Sequence, residues 1–211
     1  FLKIKDKEIS TQDELIKSIP EFLKKISWKK SMKWSDYDLN WGRPLRSILT
    51  IFDKRHLKFK YAHIETVNYT LIEEYGEIKQ KKVIDFKEYN TFLKKNDIVL
   101  EQDLRAKFIS QKIYSISKSK SCKEFVDQSL LLEVSNLVDK PRVIVAKFDK
   151  NYLKLPKEII QSTLQSHQRY FTLIDHKDRI SNEFIIVTNN KDYKNFIGIL
   201  SVSFSFSIKT L

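Results

Sequence analysis

The run Leu153-Lys154-Leu155-Pro156-Lys157-Glu158-Ile159-Ile160-Gln161-Ser162-Thr163-Leu164-Gln165-Ser166-His167-Gln168-Arg169-Tyr170-Phe171-Thr172-Leu173-Ile174 holds a helix start, a two-faced helix and a strand. Pro156 suits the first helical position, where a missing N–H is no loss, and Lys157 to Tyr170 contains neither Gly nor Pro. Ile160, Leu164, His167 and Phe171 fall at i, i+4, i+7 and i+11, one face of a 3.6-residue period. Gln161, Gln165 and Gln168 fall on another. The spacing therefore turns His167 towards the core and the glutamines towards water. Two readings stay open: His167 is a hydrogen-bonded core histidine, or Gln168 and Arg169 beside it present donors to a polyanion.

Downstream, Tyr170 to Ile174 and Phe184 to Thr188 flank the polar His176-Lys177-Asp178-Arg179 and predict an antiparallel pair. Upstream, the branched run Arg142 to Lys147 predicts a strand, and Val126, Leu130, Val134, Leu137 and Val138 predict an amphipathic helix stopped before Pro141. Ser115 to Lys123 is Ser/Lys-rich and reads as a mobile loop, so 115–124 is a candidate sub-boundary. Glu101 to Ser117 is helical through Leu104, Phe108, Ile109, Ile113 and Ile116, and Asp85 caps a helix to Asn96 with Phe86, Tyr89 and Leu93 on one face. Asp97-Ile98-Val99 reads as extended.

In the first part of the chain, Thr11-Gln12-Asp13-Glu14 forms a capping box ahead of Leu15, Ile16, Ile19, Phe22, Leu23 and Ile26. Pro20 interrupts that helix, and the in-phase apolar face beyond it predicts a restart. The basic-aromatic run from Trp28 to Trp34 follows. Trp41-Gly42-Arg43-Pro44 then opens a second helix with Leu45, Ile48, Leu49 and Phe52 on one face and Arg43 and Arg46 off it. Leu57, Phe59 and Tyr61 alternate with Lys58 and Lys60, the period-2 mark of a half-buried strand, and strands at 68–73 and 77–84 turn at Tyr75-Gly76. The fold class is α+β: a mixed sheet or sheets with surrounding amphipathic helices, about six helices and six or more strands. Strands near Leu57, Val143, Phe171 and Ile185 are expected to share a sheet system.

The 211 residues, 41% hydrophobic and 12% aromatic, suffice for a packed core in one large domain or two small ones. Lys and Arg number 39 against 27 Asp and Glu, a formal charge of +12, which suits a polyanion such as RNA or serves only solubility. One cysteine, Cys122, excludes an internal disulfide framework and a multi-cysteine zinc site and fits a reducing compartment, the cytoplasm or an organelle; its default role is packing. No run of 18 apolar residues spans a membrane, and the start at Phe1 has no signal-peptide pattern. With three glycines, Gly42, Gly76 and Gly198, there is no Walker or Rossmann phosphate loop. The four histidines, His56, His63, His167 and His176, are scattered, so no metal site is expected; no nucleophile elbow occurs, so no catalytic residue is assigned. Binding chemistry remains, with Lys and Arg for phosphates and Trp28, Trp34, Trp41 and Tyr170 either for stacking on bases or as core aromatics.

Leu155-Pro156-x-Glu158-Ile159 followed by Ser162-Thr163-Leu164-x-Ser166-His167-Gln168-Arg169-Tyr170-Phe171 resembles a signature of the beta subunit of bacterial-type, two-subunit glycyl-tRNA synthetase. Lys30-Ser31-Met32-Lys33-Trp34 through Arg43-Pro44-Leu45-Arg46 looks like a second, less specific motif of that family. Leu131-Leu132-Glu133-Val134-Ser135-Asn136-Leu137-Val138 with Pro141 looks like a third. The resemblance runs from Ile19 to Asn190 and marks Met32, Trp34, Pro44, Glu133, Pro156, His167, Gln168, Tyr170 and Phe171 as motif residues. Two departures stand out. The family's Gly-His-Arg cluster is replaced by Asn68-Tyr69-Thr70-Leu71, and 192–211 is a divergent tail whose alternation suits an edge strand.

The resemblance implies the N-terminal region of a noncatalytic subunit of glycine-tRNA ligase, which aids ATP-dependent attachment of glycine to tRNA(Gly). It implies an alpha-subunit partner that holds ATP and Mg, with no cofactor on this chain, an alpha2beta2 hetero-oligomer for the full-length subunit, and tRNA contacts from the beta subunit. A full-length beta subunit continues into a histidine-aspartate type domain and an anticodon-binding domain. The RNA-binding candidates are Lys29, Lys30, Lys33, Arg43, Arg46, Gln168 and Arg169. A stand-alone basic RNA-binding module and a purely structural subunit-interaction domain are the alternatives.

Overall fold

The computed structural model describes residues 10–34, 36–74, 76–123 and 126–189, and the proposed tail strand at 192–211 lies outside them. The chain divides into two compact units, one up to Phe92 and one from Leu93, upstream of the 115–124 stretch.

Unit 1 opens with helix α1 (Thr11–Lys24). Its N-cap is Ser10 without a side-chain cap bond, so the capping box on Thr11 does not form, and the helix runs unbroken through Pro20 instead of restarting there. Short strands follow: β1 (Met32–Lys33), β2 (Asn40–Trp41), β3 (Ile48–Leu49), β4 (Ile51–Phe52), β5 (Arg55–His56), β6 (Lys60–Tyr61) and β7 (Ile64–Val67). The helix expected from Leu45 to Phe52 is therefore absent. Ile48 and Ile51 are β-branched, and Asp53 and Lys54 both take positive φ (46° and 60°), closing a two-residue hairpin between β4 and β5. β3 pairs parallel and β6 antiparallel with β7, so this sheet is mixed. At its centre the buried Thr66 hydroxyl donates to the Leu57 carbonyl (2.8 Å) and accepts from the Phe59 N–H (3.1 Å).

The ribbon β8 (Tyr69–Glu74) and β9 (Glu77–Lys82) forms as the sequence predicts, with Gly76 at φ 80° in the turn. Helix α2 (Phe86–Lys95) is capped by Asp85, whose Oδ1 accepts from the Glu88 N–H at 2.8 Å. Leu93 is buried, but Phe86 is 64% exposed, so the expected apolar face is only half used.

Unit 2 is a three-stranded antiparallel sheet with helices on both faces. Asp97 has φ 60° and closes the end of α2, so the first residue of the extended piece expected over 97–99 is a helix stop. Helix α3 (Gln102–Ser119) takes in much of the expected Ser/Lys loop, because Ser117 is 1% exposed and the Ser119 hydroxyl donates to the Ile116 carbonyl. Helix α4 (Gln128–Leu137) has Asp127 as N-cap, its carboxylate accepting from the Leu130 N–H. Strand β10 (Arg142–Lys147), a 3-10 turn at Lys150–Lys154, helix α5 (Lys157–Ser162), β11 (Phe171–Ile174) and β12 (Ile180–Thr188) complete the unit, in strand order β10-β12-β11.

Alternation on β12 serves both faces. Ile185 packs with Ile109, Ile113, Leu130, Val134, Phe171 and Leu173 under α3 and α4. Phe184 and Ile186 pack with Phe148, Ile160, Leu164 and Tyr170 under α5. The segment around Leu57 belongs with the β3-β7-β6 sheet, so it does not share a sheet with Val143, Phe171 and Ile185 as the sequence suggested. The fold is α+β with five α-helices among the described residues. None of them is long and apolar enough to cross a membrane.

The helix of the opening motif departs from α-winding. Pro156 is its N-cap, and after α5 the chain makes a π-helical turn at Thr163–His167, closed by the Gln168 N–H to the Thr163 carbonyl at 3.2 Å. One extra residue in the turn rotates everything after it. Thr163 and Leu164 are fully buried, whereas His167 is exposed, correcting the expectation that it faces the core.

Candidate nucleic-acid interface

Unit 1 carries five of the seven RNA-binding candidates on a segment stitched by its own indoles. β1 and β2 pair antiparallel, Met32 opposite Trp41 and Lys33 opposite Asn40. The Trp34 indole N–H donates to the Trp41 carbonyl at 2.9 Å. Trp28 lies against Trp41 with ring centroids 4.9 Å apart, and Trp41 meets Tyr61 edge-on at 6.0 Å. Gly42 permits this closeness, since a Cβ there would stand 3.0 Å from the Trp28 ring. The tryptophans thus anchor the segment, and the neighbouring cations are turned outward.

Lys29, Lys30, Lys33, Arg43 and Arg46 are all exposed, as are Met32 and Pro44. Their engagement differs. Arg46 is held by the Glu73 carboxylate at 2.8 Å and Lys33 stands 3.9 Å from Asp38, while Lys29, Lys30 and Arg43 form no ion pair among the described residues. Tyr37 and His63 add an exposed stacked pair, rings 3.5 Å apart and 10° from parallel. The ribbon contributes Lys79, Lys81 and Lys82, exposed and likewise without an ion pair among the described residues. Sequence reading passed over these three, although the Lys79/Lys81 alternation signals one outward face of a strand.

The other candidates lie in unit 2, so the structure does not gather all seven within one unit. Arg169 takes a positive φ of 60°, its Nε donates to Glu133 at 2.5 Å, and its Nη1 reaches the Gln165 carbonyl at 3.5 Å. Gln165 in turn donates to the Thr172 hydroxyl at 3.3 Å. The glutamines are half-buried rather than water-facing: Gln165 ties the π-turn to β11, and the Gln161 amide donates to the Gln165 side chain at 3.2 Å.

A cavity of about 340 Å³ beside Arg169 is lined by Asp127, Ser129, Glu133, Gln165 and Ser166. Two carboxylates against one guanidinium disfavour a polyanion there. Arg169 and Glu133, from two of the three motifs, therefore brace one another. Tyr170 and Phe171 are core: Tyr170 stacks on Phe184 with centroids 5.2 Å apart, and burial pushes its phenol above its ordinary pKa.

Elsewhere unit 2 neutralises its own charge. Asp178 binds both Lys123 (2.8 Å) and Lys157, and the hydrogen bonds from Lys123 and then Lys157 hold its carboxyl at a pKa of about 2. Glu183 binds Lys120 (2.8 Å) and Lys147 (3.0 Å) and is lowered by the same contacts. Cys122 is buried, and desolvation, then the Asp175 and Glu183 carboxylates, raise its thiol pKa, leaving it unreactive near neutrality. Among the described residues no three His, Cys, Asp or Glu side chains are grouped to hold a metal.

The family model described as "Glycyl-tRNA synthetase beta subunit" matches residues 1–198. The glycine–tRNA ligase beta subunit of Rickettsia akari (strain Hartford) is 35% identical over 191 residues, covering 90% of this chain and 29% of the relative. That of Rickettsia felis is 34% identical over 193 residues, again 90% of this chain and 29% of the relative. The chain thus spans less than a third of the length of the curated relatives it matches. Over nearly its whole length, with motif residues that stitch β1 to β2 and brace the π-turn, the chain belongs to the glycyl-tRNA synthetase beta subunit family.

Proposed function

We propose that this chain acts as the N-terminal region of a glycine–tRNA ligase beta subunit, a noncatalytic part that aids ATP-dependent attachment of glycine to tRNA(Gly) by contacting tRNA. The observation that carries the reading is the family match over residues 1–198. The outward cations Lys29, Lys30 and Arg43, without carboxylate partners among the described residues, support the tRNA contact. Lys33 and Arg46 join them once phosphate displaces Asp38 and Glu73, since exposed ion pairs are worth only about 0–1 kcal/mol. Gln168 and Arg169 serve the fold of the π-turn instead. In this reading ATP, Mg and glycine sit on an alpha subunit, the full-length protein is an alpha2beta2 hetero-oligomer, and the location is cytoplasmic.

The test is binding of a tRNA(Gly) transcript to the 211-residue chain at two salt concentrations, beside capture of purified alpha subunit. Each phosphate neutralised contributes roughly 0.7–0.9 to the slope of log affinity against log salt. Replacing Lys29, Lys30 and Arg43 by Ala should weaken binding and flatten that slope by about 2, whereas the Lys118/Lys120 pair should matter less. An unchanged slope in the folded triple variant moves the RNA contact elsewhere. Capture of alpha subunit without any tRNA binding favours a structural interaction domain. Glycine-dependent ATP–pyrophosphate exchange by this chain alone would overturn the division of labour.

A further inference from the structure

Two surface hairpins of unit 1 meet at a pair of flat rings. Tyr37 stands in the loop between β1 and β2, which the Trp34 indole closes at its base by donating to the Trp41 carbonyl. His63 stands in the two-residue turn between β6 and β7, where Tyr61 pairs with Ile64 and Ala62 takes a φ of 52°. Alanine enters that left-handed region only at a cost, so the turn is held in this shape with His63 at its tip. The Tyr37 and His63 rings lie 3.5 Å apart at their centroids and 10° from parallel. Both are exposed, Tyr37 by 49%.

This contact does little for the fold. Aromatic pairs favour offset or edge-on arrangements with centroids about 4.5–7 Å apart, whereas these two rings are almost eclipsed. The hairpins are already joined in the interior, because Trp41 meets Tyr61 edge-on at 6.0 Å and Tyr61 is only 6% exposed. Eclipsing leaves a flat π-surface fixed in place, which loses little conformational freedom when a second flat group is laid on it.

Charge selects that second group. Asp36 and Asp38 flank Tyr37, and Glu65 lies two residues beyond His63; all three are exposed and would repel a phosphate resting on the rings. Lys33 stands 3.9 Å from Asp38, while Lys58 and Lys60 lead into the turn, exposed and without an ion pair among the described residues. A neutral ring laid on the pair, with its phosphates carried by the cations of the two hairpins, satisfies both signs of charge. A nucleotide divides its charge in that way, and an acidic peptide side chain does not.

We propose that the Tyr37–His63 pair is a stacking platform for the base of an unpaired nucleotide in the bound RNA, an inference that rests on the RNA contact proposed above. A base inside a duplex is already stacked between its neighbours, so the platform selects a loop, a bulge or an end. The cations alone would favour the duplex, whose charge is denser. A preference for single strand over duplex therefore reports the rings.

The test uses the full 211-residue chain and a uridine oligonucleotide with a central 2-aminopurine, whose fluorescence falls when it stacks on an aromatic ring. Binding should quench the probe, and the same strand annealed to its complement should bind at least about tenfold more weakly, the loss expected for one stacked base. Tyr37→Leu and His63→Leu, each folded by circular dichroism, should weaken single-strand binding by about tenfold and reduce the quenching. Their salt slope should stay unaltered, since no phosphate contact is lost. Tyr37→Phe keeps the ring and should bind as the unaltered chain does. Binding without quenching, equal affinity for strand and duplex, full affinity in both leucine variants, or an equal loss in Tyr37→Phe would each overturn the platform. The first two readouts need no variant. If the platform fails while tRNA(Gly) still binds with a salt slope that flattens on replacing Lys29, Lys30 and Arg43, the proposed function stands without it; failure of every RNA to bind overturns both.

Discussion

Arg105 shows how much one side chain can organise. Its Nε donates to the Ser135 carbonyl (2.8 Å) and its Nη1 to those of Val99 (2.8 Å) and Leu100 (2.7 Å). One planar cation thus satisfies an orphan carbonyl in the last turn of α4 and fixes the approach to α3. Lys cannot span three carbonyls, so Arg105→Lys should cost about 1–3 kcal/mol, read by urea unfolding. Asp178 gives a pH signature. Its folded pKa of about 2 lies below the ordinary aspartate value of 3.8, so its stabilisation is present above the unfolded pKa and is lost as pH falls through the folded one. Asp178→Asn should therefore blunt the loss of thermal stability between about pH 4 and pH 2, leaving the profile above pH 5 unaltered in shape. Neither role was legible in sequence: Arg105 is one charged residue on an amphipathic helix, and the lysines that hold Asp178 stand 55 and 21 residues away.

Local rules succeeded at the scale of elements where one period dominated. The strand Arg142–Lys147 is marked by its run of branched residues, the ribbon 69–82 by its glycine turn, and the α4 helix by 3.6-residue spacing. They failed where two periods fit the same letters. Leu45, Ile48, Leu49 and Phe52 satisfy a helical face, yet β-branching and the Asp53-Lys54 turn favour strands. The π-turn was invisible for a different reason. A single inserted residue leaves no composition signal, but it moved His167 from the expected core face to solvent. It also fixes the phase of β11. Deleting Ser166 should restore α-winding at the cost of register, swapping Phe171 and Leu173 to the opposite face, and the variant should fail to fold cooperatively. Pro20 offers the converse. Lodged inside α1, it denies an intrahelical bond, so Pro20→Ala should stabilise unit 1 by up to about 3 kcal/mol, visible as a higher melting temperature.

For the molecule as a whole, the two units differ in how much they bury. Unit 1 relies on Leu57, Tyr61, Ile64, Ile72 and Val83, whereas unit 2 fills both faces of its sheet. Denaturation should therefore show two transitions, with tryptophan fluorescence reporting the earlier one, because Trp28, Trp34 and Trp41 all lie in unit 1. A single coincident transition by fluorescence and far-ultraviolet dichroism would contradict this. The charge of +12 pointed to a polyanion, but only the fold separates lysines that face solvent unpaired from those spent on Asp178 and Glu183. Those two carboxylates are hubs with two spokes each, and that shape has an evolutionary consequence. Losing Lys123 leaves Asp178 with Lys157, and losing Lys120 leaves Glu183 with Lys147, so each lysine is individually replaceable by its twin. Losing a hub releases two cations at once. Under neutral drift the lysines will wander among lineages while the acids they share stay put.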